Sequence, residues 1–538
     1  MKKWQDKESL KELLCHLVEF PSITGSDAEI AISEYIHMKL NDLPYFKDNP
    51  LDLQIHPTND GRKFVTGLIR NGNSSDTVIL INHMDVVDIE DYGEYKNLAF
   101  RPKDLTAEYM SIKNDLPPAV QDDLKTGEWL FGRGTMDMKA GLALQMAMME
   151  RASLGEFDGN ILLLSVPDEE ANSTGMMEAV EVLLEMSQTH GLHYKACLNS
   201  EPIFTRYPGD TNQYVYTGSV GKLLPGYLCF GMETHVGEPF SGINANYMAA
   251  ELTRELELNT AFCEMIDGEV TPPPTNLMQK DLKEEYSVQI PHVAVTLFNM
   301  MVMERTVHEI NKDLLSLAHK VAGRIEKQLH DRAAAFNKWE QFEPIDSKIS
   351  VYTYQELLEK AIEQYGEAEI VRRQAYIAGN FRTIGDRDLS TRLVFDLASL
   401  CKEQGPMIVL FYSPPFYPAV SSRENSHIKQ VVGEMIEYAE TKHNVVLKNQ
   451  HYFAGLSDLS FTSLSQPVEG LVPLFRNMPL YENGYHFPLD ELKHLKIPVM
   501  NLGPLGRDPH RWTERLNIDY SFGAFPDILS VAIHKLLK

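Results

Sequence analysis

Five short apolar runs in this chain each lead to a residue that can bind a cation or move a proton. TVILIN is followed by His83, Met84 and Asp85, and WLFGRGTM leads to Asp137. ILLLSVP is followed by Asp168, Glu169 and Glu170, ACLNS by Glu201, and VMNLGPLGRDP by His510. In open α/β sheets ligands bind beyond the carboxyl ends of the strands, so five such ends carrying His, Asp or Glu imply a shared site. Two imidazoles with several carboxylates suit a borderline divalent ion, zinc first, with cobalt or manganese as alternatives. The set offers more ligands than one ion takes, which implies two metals sharing a bridging carboxylate. Cations would offset the repulsion within Asp168-Glu169-Glu170. One glutamate would bind metal, and its neighbour would be left for proton transfer.

The elements that must position these residues follow from patterning. Residues 77–81, 161–166 and 496–503 read as short buried strands. GLALQMAMMERA (141–152) reads as a helix packed closely through small residues, and Ser26-Asp27-Ala28-Glu29 as a capping box before AEIAISEYIHMKL. Strands alternating with helices predict an α/β fold with a mostly parallel sheet covered on both faces. From about residue 211 the pattern becomes β-rich with glycine punctuation. A proline cluster at 271–276, a long charged helix and largely helical residues at 355–400 follow, and MIVLFYSPPFYP marks a boundary. The expected organisation is a catalytic domain at 1–210 and 419–538, interrupted by an α+β lid or dimerisation domain at 211–418 with extra helical material at about 258–400.

Bulk properties narrow the function classes. A chain of 538 residues exceeds one ordinary core. Its net charge of −26 makes nucleic acid and anionic membranes poor partners. No apolar run is long enough to span a bilayer, and the lysines near the start lack a following apolar segment of a secretory signal. The five cysteines, Cys15, Cys197, Cys229, Cys263 and Cys401, are scattered and form no CxxC pair, which favours a reducing, cytoplasmic setting.

At the same residues the sequence resembles the M20 family of metal-dependent peptidases and aminoacylases. The matching pieces are HMDVV (83–87), GRGTMDMKAG (132–141), PDEEANSTG (167–175), SEP (200–202), THVGEPFSGINANYMAAEL (234–252), GLSDLSF (455–461) and GPLGRDPHRWTE (503–514). The length and long middle section are similar to the arginine-utilisation subgroup. The resemblance implies a di-metal hydrolase in which His83 and Glu201 bind one metal, Glu170 and His510 bind the second, and Asp137 bridges them. It implies Asp85 as the group that orients His83 and Glu169 as general base, and leaves Asp168 to cap a helix or to support a ligand rather than to catalyse. His235, in the lid, matches the family's donor to the tetrahedral intermediate, often supplied across a homodimer. The implied substrate is a small peptide or an N-acylated amino acid, and the subgroup likeness points to arginine or amino-acid catabolism. Arg305 and Asn244 are lid side chains that could grip a substrate carboxylate. The competing expectation is a non-catalytic metal-binding regulatory or binding protein on the same fold.

Overall fold

The computed structural model describes residues 3–205, 207, 209–283, 285, 287–342, 345, 348–481 and 483–538. It divides the chain into two compact units, one formed by Met1–Val220, Ala419–Leu464 and Pro488–Lys538, the other by Gly221–Pro418 and Ser465–Phe487.

The first unit is built on an eight-stranded sheet. Its centre is four parallel strands in the spatial order Asn160–Val166, Asp76–His83, His193–Asn199 and Val499–Asn501. These are the short apolar runs of the sequence, and their residues are buried on both faces as parallel strands require. Lys63–Ile69 and Leu53–Pro57 extend one side by antiparallel pairing. Gln213–Tyr216 and Leu447–Gln450, a parallel pair, extend the other. The helix Lys139–Ser153 is almost wholly buried. Gly141 lets it approach the sheet: a Cβ there would stand 2.4 Å from the Ser200 carbonyl oxygen, far inside contact distance.

A three-stranded antiparallel sheet of Trp129–Phe131, Arg515–Asn517 and Gly506–Arg507 lies in the same unit. It joins the GRGTMD loop to the PHRWTE loop, 380 residues away in the chain.

The second unit carries a five-stranded sheet in the order Thr275–Asp281, Val293–Val302, Gly221–Phe230, Met407–Tyr417, Ser350–Thr353. The helices Ala245–Leu256 and Val307–Phe336 accompany it, and Tyr354–Tyr365, Glu367–Asn380 and Asp386–Leu400 form a helical segment between its last two strands in sequence.

Three expectations differ from this arrangement. Residues 213–216 form a strand of the large sheet, so the second unit starts at Gly221 and not at 211. Residues 275–281 and 293–302 are sheet strands, so the stretch from 258 to 400 is helical only in part. Residues 465–487 belong to the second unit although they follow the return to α/β patterning. Asn477 explains this last case: its carbonyl accepts the Tyr412 N–H at 2.8 Å and its side chain accepts the Gln355 N–H at 2.9 Å, tying the segment to that unit's sheet and helices. No helix among the described residues is long and apolar enough to cross a membrane.

Candidate metal centre

The site lies in the first unit at the carboxyl ends of the four parallel strands. His83 closes the Asp76–His83 strand, and Glu169 and Glu170 follow Asn160–Val166. Glu201 follows His193–Asn199, and His510 lies beyond Val499–Asn501. The small antiparallel sheet adds Asp137.

Asp137 sits between two imidazoles. Its Oδ1 is 3.3 Å from His83 Nε2 and its Oδ2 is 3.2 Å from His510 Nε2. His83 Nε2 also faces Glu201 Oε1 at 3.4 Å, and His510 Nε2 faces Glu170 Oε2 at 3.2 Å. Two triads therefore share one carboxylate, each with one nitrogen and two oxygens. Ligand atoms of His83, Asp137 and Glu170 lie within 4.8 Å of one another. Glu169 Oε2 stands 3.9 Å from His83 Nε2. Of the residues singled out in the sequence, the structure thus brings together His83, Asp85, Asp137, Glu169, Glu170, Glu201 and His510.

The imidazole of His83 is set for a cation. Its Nδ1 is 3.0 Å from the Asp85 backbone carbonyl, to which it donates, and this leaves Nε2 facing the carboxylates. Nε2 is buried without a hydrogen-bond partner. A buried unsatisfied nitrogen ringed by carboxylate oxygens is the donor set that a divalent ion completes. The Asp85 carboxylate stands 3.5 Å from the same Nδ1. It accepts the N–H groups of Glu169 at 3.1 Å and Glu170 at 3.2 Å, and the Thr24 hydroxyl at 2.8 Å.

That contact begins to explain how three consecutive acids are held at a strand end. Asp168, with φ at +72°, pairs with Arg62 at 2.7 Å and accepts the Thr174 N–H at 3.0 Å. Its own N–H donates to Glu29 Oε1 at 3.1 Å. Glu29 was expected in a capping box, but the helix Ala28–Asn41 has no side-chain cap. The Glu29 carboxylate is instead buried against the PDEE loop and the Gly25 N–H. Each acid of the loop is held by its backbone or its own partner, so each carboxylate keeps its own direction.

Glu514 is the counterpart on the Asp137 side. It is fully buried, pairs with Arg133 at 2.7 Å, and accepts the N–H groups of Met136 at 3.1 Å and Asp137 at 3.3 Å. Gly503 permits the last close approach: a Cβ there would stand 1.8 Å from the Glu201 carbonyl oxygen. Sequence reasoning assigned no role to Arg62, Arg133 or Glu514, and only a helix-capping role to Glu29. Glu514 ends a quoted motif, yet an acid after Trp-Thr has no spacing that separates it from a surface residue.

Glu514→Ala would leave the buried Arg133 guanidinium, among the described residues, with one carboxylate partner, Asp91, 3.1 Å away and more exposed. Breaking such a buried pair costs about 3–5 kcal/mol. Urea unfolding of the metal-free variant should show a loss of that order; a loss below about 1 kcal/mol would contradict the assigned role.

Electrostatics point the same way. Burial opposes charge on His510, but Asp137 and Glu170 outweigh it and raise the imidazole to about 11. His83 is likewise pulled well above its usual value, burial being outweighed by Glu201, Asp137 and Asp85. Burial lifts Glu201 to about 7, against the pull of His83, and raises Glu169 and Glu170 as well. Asp137 moves down, because the two histidines overcome its desolvation. Burial also takes Asp458 of the GLSDLSF motif up to about 7, with Asp85 and Asp168 adding repulsion.

Without a cation the cluster therefore holds protons that a cation would displace. The raised His510 contributes stability that is complete below its ordinary 6.5 and is lost as pH rises through about 11. Metal affinity should accordingly climb with pH across this range. Calorimetry of zinc binding to chelator-stripped protein at pH 7, in two buffers of different ionisation enthalpy, should report net proton release. Zero release would contradict the histidine assignments.

The sequence profile of Peptidase family M20/M25/M40 matches residues 79–468, a span that holds most of these site residues. The chain belongs to this family. As a member it is a metallopeptidase-type enzyme, and a peptide substrate is what the family implies. Across its length this M20 protein is 51% identical over 536 residues to the uncharacterized protein YqjN of Bacillus subtilis (strain 168), covering 99% of this chain and 97% of that one. It is 32% identical over 545 residues to protein RocB of the same organism, covering 99% and 95%. The solved structure of the dipeptidase Dug1p from Saccharomyces cerevisiae matches with a TM-score of 0.54 at 12% identity, covering 100% of this chain and 98% of that one. At that identity the likeness is one of fold.

His235 belongs to the second unit and is exposed on a loop. Its Nδ1 accepts the Gly237 N–H at 3.0 Å, which places the proton of the neutral ring on Nε2. Arg305 pairs with Asp313 and Asn244 caps the helix Ala245–Leu256, so both lid side chains named for substrate binding have structural partners.

Proposed function

We propose that this M20 protein is a dinuclear metal-dependent hydrolase that cleaves the amide bond of a small peptide or an N-acylated amino acid. The observation that carries the reading is Asp137, whose two oxygens each face a histidine nitrogen that has a second carboxylate of its own. His83 and Glu201 would hold one ion, His510 and Glu170 the other, and Asp137 both. The nitrogen and oxygen donor set favours zinc, with cobalt or manganese as the alternatives.

When bound, two such ions lower the pKa of a water and polarise a carbonyl. The chain's residues supply the rest. Glu169, whose carboxyl burial raises well above the usual range, takes a proton from the attacking water at a carboxylate oxygen. It then gives that proton to the leaving nitrogen. Asp85 fixes the backbone of Glu169 and Glu170 so that the two carboxylates diverge. His235, with its proton on Nε2, would donate to the oxyanion of the tetrahedral intermediate. The second unit's sheet ends in Thr275–Asp281 and Ser350–Thr353, edges of the kind through which copies pair. All five cysteines are free thiols, which supports a reducing, cytoplasmic setting.

The test is a hydrolysis panel of dipeptides, tripeptides and N-acyl amino acids with zinc-, cobalt- and manganese-loaded protein. Arginine derivatives lead the panel because of the subgroup the sequence resembles. Metal-dependent turnover of any member supports the reading. Protein that holds its metals and cleaves nothing would instead be a binding or regulatory protein on this fold.

A further inference from the structure

We propose that the helical part of the second unit holds a separate binding pocket for an amphipathic organic anion, a carboxylate carried on an aryl or long alkyl body. A cavity of about 730 Å³ lies between the edge strand Thr275–Asp281 and the helices Glu367–Asn380 and Asp386–Leu400. That volume suits a small organic molecule. Ile377 and Thr391 are buried in its wall, with Phe381 and Phe395 half-buried beside them. A ligand body would meet an apolar surface.

The charged lining is cationic in excess, in a chain whose net charge is −26. Three of its five cations are matched by carboxylates. Arg373 grips Asp396, Lys280 meets Asp388 at 2.6 Å, and Arg372 holds Glu369 at 2.7 Å. The third acid of the lining, Asp281, accepts the Asn246 side-chain amide and the Lys283 backbone N–H. Two cations remain without a carboxylate partner among the described residues. Among the described residues Lys283 Nζ donates to the carbonyls of Ser287 and Gln289. Arg392 lies over the Phe381 ring, 3.6 Å from its centroid.

A guanidinium stacked on a ring keeps its N–H edge open and its plane fixed, so little freedom is lost when a carboxylate docks on the fork. The apolar wall and the stacked Arg392 therefore call for opposite ends of one molecule. Nothing in the proposed hydrolysis uses these residues, so the pocket is a second site with its own ligand.

The probe is 8-anilinonaphthalene-1-sulfonate, an aromatic anion whose fluorescence rises in an apolar site, titrated into the full-length metal-loaded protein. Its neutral analogue, N-phenyl-1-naphthylamine, is titrated alongside. Saturable binding of the anion, tighter than the neutral analogue, is expected. Arg392→Gln should weaken the anion about tenfold or more and leave the neutral analogue unchanged. Ser399→Trp, at an exposed position of the lining, should block both probes while leaving metal content and unfolding midpoint as in wild type. Equal affinity for the two probes, or anion binding unmoved by Arg392→Gln and Ser399→Trp, would overturn the proposal.

Discussion

Asp137→Ala, purified without chelator, should hold far less than the two equivalents of metal expected of wild type, and its amide hydrolysis should fall by at least about 10³. The magnitude follows from position. Asp137 is the one carboxylate that faces both histidines, so its removal takes an oxygen from each triad at once. It also strips His83 and His510 of a charge that helps hold them in place. Elemental mass spectrometry on the purified protein measures the first effect, and kcat/KM on the best substrate of the panel measures the second. Two full equivalents in the variant would refute the bridging role. Glu201→Ala provides the contrast, since it touches only the His83 triad and should spare the ion at His510.

Glu169→Gln separates catalysis from metal binding. The amide keeps the size of the carboxyl and cannot accept the proton, so kcat should drop by about 10² to 10⁴ while metal content stays near wild type. The backbone of residue 169 remains tied to Asp85, so the loop should not move. A variant that loses metal would make Glu169 a ligand. A variant that retains full kcat would take proton transfer away from it and require another base, with Asp458 the nearest buried carboxyl in chemical character.

The residues of the site were legible because they share one physical circumstance. Each polar group follows a short apolar run, and a parallel sheet gathers such ends at one edge. The residues that hold them were not legible, because their partners are remote in sequence. Glu29 satisfies every local rule for a helix cap, and only the fold shows it buried against a loop 139 residues away. Glu514 serves N–H groups 378 residues earlier. In the same way Gln213–Tyr216 carries the alternation of any strand, and local patterning says nothing about which of two sheets it joins. The segment at 465–487 hides its allegiance for a related reason: a helix with one apolar face packs on whichever core is beside it. Asp85 was read only as the group that orients His83; the fold adds that its carboxylate also holds the glutamate backbone, which no local spacing shows.

The first unit is assembled from three separated stretches of chain, and this has a consequence for biosynthesis. His83 and Asp137 leave the ribosome before Glu201, whereas His510 follows Glu201 by 309 residues and Glu514 comes later still. At ordinary elongation rates the interval is roughly 15–60 s. During it the nascent chain displays one proposed ligand triad and two of the three members of the other, and the fourth parallel strand, Val499–Asn501, is still missing. The two ions should therefore enter in a fixed order, the one at His83 able to arrive on the growing chain, the one at His510 only after the stretch that carries His510 has been made.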